Sequence, residues 1–281
     1  MQDPLQLPHA RFDRHLIDVQ DGVSLRVLHW RPEKATDRPA VVFVPGWISI
    51  VDGWLEVLRE LAPTREVVYV ETREKATARW ERRMAVDDFR PPRLADDIRA
   101  AWRAFDVADG SVLFGSSLGA NAILEVLKGD GALPVGAAFC ICPNVRFPIP
   151  WWGHGVLRIP PAAYRAALSP VIWYLRRFRV NARHDPAQMR RYEKTLRAAE
   201  PVRLRLSARA VVGYDARPGL ETVTAPVALA YAESDTLHGG DQVRELAACM
   251  PRAETIGCES NTAMHRAGVV QVLDTFVDRV T

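Results

Sequence analysis

The chain has 281 residues, 48% of them hydrophobic and 25% charged, and its formal net charge is +3. This is an ordinary globular composition with enough length for a sizeable core. No apolar run reaches about 18 residues, so no transmembrane helix is expected. The N-terminus lacks the basic start and apolar stretch of a secretory signal, so we expect a cytoplasmic protein. The four cysteines form no disulfide framework and have no neighbouring ligands for a metal, and Cys140 and Cys142 are expected to be buried thiols.

The first predicted element is a β-hairpin, because alternating apolar runs at 15–19 and 23–28 flank the turn pair Asp21-Gly22. Continuous apolar runs, which are typical of strands buried on both faces, follow at 40–44, 66–70, 111–114, 136–142 and 226–231. Amphipathic helical patterns lie at 54–61, 94–105, 120–127 and 269–280. Alternating strands and helices predict an α/β fold with a mostly parallel sheet.

The alternation stops in the middle of the chain, in a segment rich in proline and aromatic residues. We predict a core of residues 1–146 and 210–281, interrupted by a helical cap at 147–209 with a helix at 186–200, and a strand pattern resumes at 210–212. Between Arg146 and Arg209 there are 14 Lys and Arg against three Asp and Glu. This basic excess is either a solvated helical surface or a face toward an anionic partner.

The segment 111–122 carries the chemistry. It contains Gly115-Ser116-Ser117-Leu118-Gly119, a G-x-S-x-G motif placed directly after an apolar run and directly before a helical pattern. A sharp strand-to-helix turn needs small residues two before and two after the serine, and it exposes the hydroxyl at a helix N-terminus. Ser117 is therefore the candidate nucleophile.

A serine nucleophile needs a base and an acid that orients the base, and in hydrolases with this motif they follow the serine as acid, then histidine. His265 stands in the loop before the last helix and is the only histidine after His238. Behind the strand at 226–231 stand two candidate acids, Glu233 and Asp235.

Together these elements resemble the α/β-hydrolase superfamily, in its lipase and esterase branch with a helical cap. The resemblance covers roughly residues 15–145 and 210–281. It implies an eight-stranded, mostly parallel sheet, an acyl-enzyme reaction without metal or organic cofactor, and Asp235 rather than Glu233 as the acid. It also implies an oxyanion hole from the backbone amides of Leu118 and Trp47, with Gly46 permitting a close approach of the backbone.

Two departures from this family are visible. Many relatives have His-Gly where this chain has Pro45-Gly46, and Asp-x-Arg-Gly where it has the segment 71–75. No role follows for Glu71, Arg73 or Lys75. The Trp47 ring either packs in the core or walls the acyl pocket, and we expect Trp151 and Trp152 to roof that pocket.

The leading hypothesis is a hydrolase of carboxylic esters with a hydrophobic acyl group. An acyl thioesterase or an acyltransferase would use the same triad, and a non-catalytic ligand-binding protein on this fold is the third alternative. The expected partners are a small acyl substrate and, at the basic cap, an anionic carrier or membrane surface. Nucleic acid is excluded as a partner because the aromatic residues do not alternate with the arginines.

Overall fold

A mixed β-sheet forms the centre of the fold. The structure is a computed structural model and describes residues 3–20, 22–147, 160, 163–180, 185–235 and 239–281. Among these residues the sheet has nine strands: β1 (Ala10–Gln20), β2 (Val23–Pro32), β3 (Val41–Val44), β4 (Val67–Val70), β5 (Arg79–Trp80), β6 (Val112–Ser116), β7 (Ala137–Ile141), β8 (Val227–Ala232) and β9 (Ala253–Cys258).

The strand order is β1-β2-β4-β3-β6-β7-β8-β9, and the two-residue β5 pairs with β2 outside this path. The first hairpin and the β2–β4 pair are antiparallel, and all pairs from β4 to β9 are parallel. The predicted eight-stranded, mostly parallel sheet is therefore confirmed, with β5 as a short addition. Because parallel strands end at one edge of a sheet, the loops after β3, β6 and β8 meet there.

Helices cover both faces of the sheet. The described ones are α1 (Leu55–Leu61), α2 (Pro91–Ala104), α3 (Leu118–Val126), α4 (Tyr164–Tyr174), α5 (Pro186–Ala198), α6 (Pro201–Ala210), α7 (Gly240–Ala248) and α8 (Gly268–Val280). Alternate residues of each buried strand point to opposite faces. Val42 and Leu113 pack with α2, α3 and α7, whereas Phe43 and Phe114 pack with α1 and α8.

The segment predicted as a cap contributes α4, α5 and α6. Their apolar side chains form a small cluster of their own, which includes Leu168, Met189 and Leu204 and which also takes in Ile48 from the loop after β3. The division into core and cap stays a prediction. Trp151 and Trp152, the predicted roof, lie outside the described residues. None of the described helices has both the length and the apolar character that a membrane span needs.

Two expectations about secondary structure need correction. Residues 210–212 are not a strand, because α6 ends at Ala210 and a turn follows. The edge strand β9 was not predicted, because its six residues are all partly or fully exposed and it has no continuous apolar run. Cys140 and Cys142 are buried free thiols, as expected, and burial raises the pKa of both.

Candidate active site

Ser117 occupies the turn between β6 and α3. Its backbone has φ 49° and ψ −115°, in the region that side chains rarely adopt, and its amide donates to the Ile141 carbonyl at 2.7 Å. Such strain persists only where the surrounding structure over-determines it, as it does at a strand-to-helix elbow. The predicted strand, turn and helix around Ser117 are thus present.

Gly115 and Gly119 are required by close packing around this turn. A Cβ on Gly115 would lie 2.5 Å from Cδ1 of Ile123 and 3.0 Å from the Ala120 nitrogen. A Cβ on Gly119 would lie 2.2 Å from the Val44 oxygen. The first turn of α3 is therefore pressed against the end of β3, which brings the loop after β3 beside the serine.

That loop, residues 45–49, passes close to Ser117. A Cβ on Gly46 would lie 3.5 Å from the Ser117 Cβ, so the backbone approach anticipated for Gly46 is present. Among the described residues, the backbone amides of Trp47 and Leu118 donate to no hydrogen-bond acceptor. The Trp47 ring is 36% exposed and its Nε1 donates to Ser207 Oγ of α6 at 2.8 Å. The ring lines the cavity above the serine instead of packing in the core.

A buried ion pair fixes this loop. Glu74 Oε1 accepts from the Ile48 amide at 3.0 Å, and Lys75 Nζ donates to the Gly46 carbonyl at 2.8 Å and to Glu74 at 2.7 Å. Burial alone would raise the pKa of Glu74, but the attraction and hydrogen bond of Lys75, together with the hydrogen bond of Thr72, outweigh it and hold the pKa below its usual value. Ile48 has a φ of 49°, so the pair stabilises a strained turn.

Glu71 and Arg73 of the same segment are also ion-paired. Glu71 binds Arg26 through two hydrogen bonds, and Arg73 binds Asp97 of α2 in the same bidentate manner. The segment for which the sequence assigned no role thus anchors the loop after β4 and, through Lys75, the loop that carries Trp47. Glu74, the acceptor at its centre, was not singled out because its partner Ile48 is distant in sequence.

His265 lies at the end of a short 3₁₀ turn, with its ring stacked on Trp54 at a centroid distance of 4.2 Å. Its Nδ1 is 2.9 Å from the backbone oxygen of Asn261. Because a carbonyl oxygen only accepts hydrogen bonds, this contact places the proton on Nδ1 and makes Nε2 the basic nitrogen.

The two candidate acids differ in their surroundings. Asp235 is 2% exposed, and its Oδ2 accepts from Nδ2 of Asn261 at 2.7 Å, so one residue touches both Asp235 and His265. The Glu233 side chain is 70% exposed and binds Arg244 at 2.8 Å. Asp235 is therefore the buried carboxylate of the two, and Asn261, which contacts both Asp235 and His265, was not singled out from the sequence.

Two charged side chains, Arg191 of α5 and the N-cap residue Asp185, contact the base loop, which we define as residues 261–266 and which contains His265, the proposed base. Arg191 donates to Asn261 Oδ1 at 2.6 Å and to Thr262 Oγ1 at 3.0 Å, and Asp185 accepts from the Thr262 amide at 2.9 Å. Asp185 also accepts from the Gln188 amide and so caps α5. The base loop is thus held from the cap segment as well as from the sheet.

These elements enclose a cavity of about 680 Å³. Its lining includes Ser117, His265, Gly46, Trp47 and Leu118, whereas Asp235 stands behind it. Asn144, a further residue not anticipated, places its Nδ2 3.5 Å from Ser117 Oγ and exchanges two hydrogen bonds with Asn121 of α3. No signal in the local sequence marked Asn144, because its neighbours are 23 and 27 residues away. Among the described residues, no group of acidic, histidine or cysteine side chains is arranged to hold a metal ion.

The sequence matches no protein family profile and no curated protein. Solved structures do match it. They include a hydrolase from Oleispira antarctica (TM-score 0.73, 16% identity, 90% of this chain and 94% of that chain covered). An esterase from Thermogutta terrifontis has a TM-score of 0.71 at 14% identity, with 95% and 99% covered. A bromoperoxidase from Bacillus anthracis has a TM-score of 0.73 at 12% identity, with 95% and 100% covered. The chain therefore has the α/β-hydrolase fold.

Proposed function

We propose that this protein is a serine hydrolase that cleaves a carboxylic ester with a hydrophobic acyl group through an acyl-enzyme intermediate. The observation that carries the proposal is the strained Ser117 elbow, which opens into a cavity shared with His265. Structural neighbours that are named hydrolases and esterases support hydrolase chemistry.

In the proposed reaction, His265 Nε2 takes the proton of Ser117 as its Oγ attacks the acyl carbon, and later returns it to the leaving alcohol. The amides of Trp47 and Leu118 then donate to the oxyanion, a contribution worth about 10²–10³ in kcat per donor in comparable sites. Asp235 stabilises the imidazolium that forms, and Asn261 keeps the carboxylate and the ring aligned. Water enters in the second step and releases the acid.

The lining of the cavity supports an apolar acyl group as part of the substrate. Its lining contains buried apolar side chains from several elements: Ile141, Leu118, Leu196, Ala208 and Val211. Pockets lined this way, with a few convergent polar groups, are typical of small-molecule sites. A thioester would fit the same site, and the basic side chains in the lining favour this second candidate. An acyltransferase would differ only in excluding water from the acyl-enzyme. A non-catalytic binding protein would not need the strained backbone at Ser117.

The test uses p-nitrophenyl esters of graded chain length with the wild type, Ser117→Ala and Ser116→Ala. Ser116 is the matched control, because it is the adjacent serine and is not in the proposed machinery. We expect Ser117→Ala to lose turnover and fluorophosphonate labelling, and Ser116→Ala to keep both. Equal activity of Ser117→Ala and wild type would overturn the assignment, and a wild type with neither turnover nor labelling would favour the binding-protein alternative.

The acid is tested by Asp235→Asn against Glu233→Gln. Replacing the orienting acid removes the stabilisation of the imidazolium, and in serine proteases with this triad the same change lowers kcat about 10⁴-fold. We expect a large loss in kcat for Asp235→Asn and less than a twofold change for the exposed Glu233. The reverse ranking would assign the role to Glu233.

A further inference from the structure

Three arginines from separate elements converge on the cavity that contains Ser117. Arg59 comes from α1, Arg190 from α5, and Arg266 directly follows the proposed base. All three are exposed, whereas the apolar lining residues such as Ile141 and Val211 are buried. The arginines therefore mark the solvent end of the cavity and the apolar residues its inner end.

These arginines differ from the other basic residues of the lining. Arg191 is bound to Asn261 and Thr262, and Lys194 pairs with Asp52 at 2.7 Å. In the part of the chain that the structure describes, Arg59, Arg190 and Arg266 make no ion pair and no side-chain hydrogen bond. Elsewhere in the cap segment, arginines at 176, 197 and 203 are paired with nearby glutamates. Arg177, Arg205 and Arg209 also make no ion pair among the described residues, so what sets Arg59, Arg190 and Arg266 apart is that they line the cavity.

Arg191 and Arg266, which both line the cavity, repel each other. Burial lowers the pKa of Arg191, and the nearby Arg266 lowers it further. Two acids also line the cavity, but Asp52 is already paired with Lys194, which leaves Glu56 against three arginines. An anion bound here would relieve repulsion and gain charge-assisted hydrogen bonds, which guanidinium groups form bidentately with phosphate and carboxylate.

We propose that Arg59, Arg190 and Arg266 bind an anionic group, phosphate or carboxylate, on the alcohol or thiol part of the substrate. This inference rests on the proposed function. The acyl group takes the buried apolar end, so the leaving group extends to the solvent end where the arginines lie. Arg266, next to the base, is the arginine nearest in sequence to the proposed catalytic residues. The substrate class is therefore an acyl ester or thioester of an anionic alcohol or thiol.

The experiment compares two thioesters with the same acyl chain, an acyl-coenzyme A and an acyl-N-acetylcysteamine, at low salt. A third substrate, the mono-p-nitrophenyl ester of a dicarboxylic acid, is compared with the p-nitrophenyl ester of the matching fatty acid and places the anion on the acyl side. The variants are the three single Arg→Gln changes and the triple variant. Arg209→Gln is the control, because Arg209 is an exposed arginine of the same basic segment that does not line the cavity.

We expect each cavity arginine to lower kcat/KM for the coenzyme A thioester by about threefold to tenfold, with a larger loss in the triple variant, and salt to weaken the preference. The neutral thioester, Ser117 labelling and the control should change by less than twofold. Equal losses for both thioesters would overturn the proposal, as would a preference only for the acyl-side carboxylate. Loss of binding to anionic phosphatidylserine vesicles with an unchanged thioester preference would assign the arginines to a membrane surface instead. Absence of all turnover and labelling would instead contradict the proposed function.

Discussion

Replacing Glu74 with glutamine removes the buried negative charge that holds the Trp47 loop and keeps the shape of the side chain. Glu74 and Lys75 are both buried, so Glu74→Gln leaves the Lys75 ammonium without its counter-charge. Breaking one side of a buried pair costs about 3–5 kcal/mol. At about 2 °C per kcal/mol for a chain of this size, the melting temperature should fall by about 6–10 °C.

The double variant Glu74→Gln/Lys75→Met supplies the decisive comparison. It removes both charges, so we expect it to recover about 1–3 kcal/mol of the loss, which is the coupling typical of contacting residues. Urea denaturation followed by tryptophan fluorescence measures all three proteins. Glu193→Gln is the control, because Glu193 forms exposed pairs with Arg176 and Arg197 that are worth at most about 1 kcal/mol each.

The same variants test whether the Glu74–Lys75 pair positions the loop at 45–49, which carries the proposed oxyanion donor Trp47. Loss of one well-aligned oxyanion donor lowers kcat about 10²–10³-fold, so a displaced Trp47 amide should reduce kcat with little change in KM. The reasoning is refuted if Glu74→Gln is no less stable than Glu193→Gln, or if the double variant is as unstable as the single one. It is also refuted if Glu74→Gln lowers stability but leaves kcat unchanged.

Three further changes test the base loop. Arg191→Met releases the loop from α5, and we expect kcat to fall up to about 100-fold with KM within twofold, since small misplacements of reacting groups have such effects. Asp185→Asn should destabilise the protein at neutral pH, and the difference from wild type in urea denaturation should shrink as the pH falls below the ordinary carboxyl value of 3.8. Trp54→Ala removes the ring under His265, costs about 3–5 kcal/mol in urea denaturation and slows the fluorophosphonate labelling.

The sign of the pH effect follows from the surroundings of Asp185. Burial alone would raise its pKa, but hydrogen bonds from Thr262 and Gln188 outweigh it and lower the pKa. The stabilisation is therefore complete above the unfolded pKa and is lost as the pH falls through the folded value. A gap between wild type and variant that widens with acid would contradict this.

Arg191→Lys and Trp54→Phe are the matched controls for the other two changes. Lysine keeps the charge but loses the two-pronged contact, so we expect it to recover only part of kcat. Equal activity of Arg191→Met and wild type would show that α5 does not align the base. Labelling of Trp54→Ala at the wild-type rate would limit Trp54 to a packing role.

Local features of the sequence were sufficient to predict the strand, turn and helix around Ser117. Gly115, Ser117 and Gly119 lie within five residues, and the turn that they form fixes its own geometry and its place between a strand and a helix. The hairpin and the buried strands were equally predictable, because each is a short run with a distinctive pattern. His265 and Asp235 needed the order of elements along the chain, and the structure places both near Asn261.

Contacts between distant residues were not predictable. Arg191 and Asn261 are 70 residues apart, and Ile48 and Glu74 are 26 apart, so nothing near either residue indicates its partner. The incorrect strand at 210–212 has a different cause. A short apolar run fits a buried strand and a buried helix end equally well, and here Ala210 closes a helix. The edge strand β9 was missed for the opposite reason, because its exposed residues include no continuous apolar run.

The packing of Gly119 has a consequence for engineering the specificity of this protein. Because Gly119 lies against the Val44 and Pro45 carbonyls, no side chain fits between α3 and the end of β3. Position 119 is thus closed to mutational exploration, and substitutions there should yield unfolded proteins rather than new specificities. The wall built by α5 carries exchangeable, partly exposed side chains. A library intended to broaden substrate range should therefore vary Ala187, Tyr192 and Lys194 of α5, keep Arg191, and leave the elbow untouched.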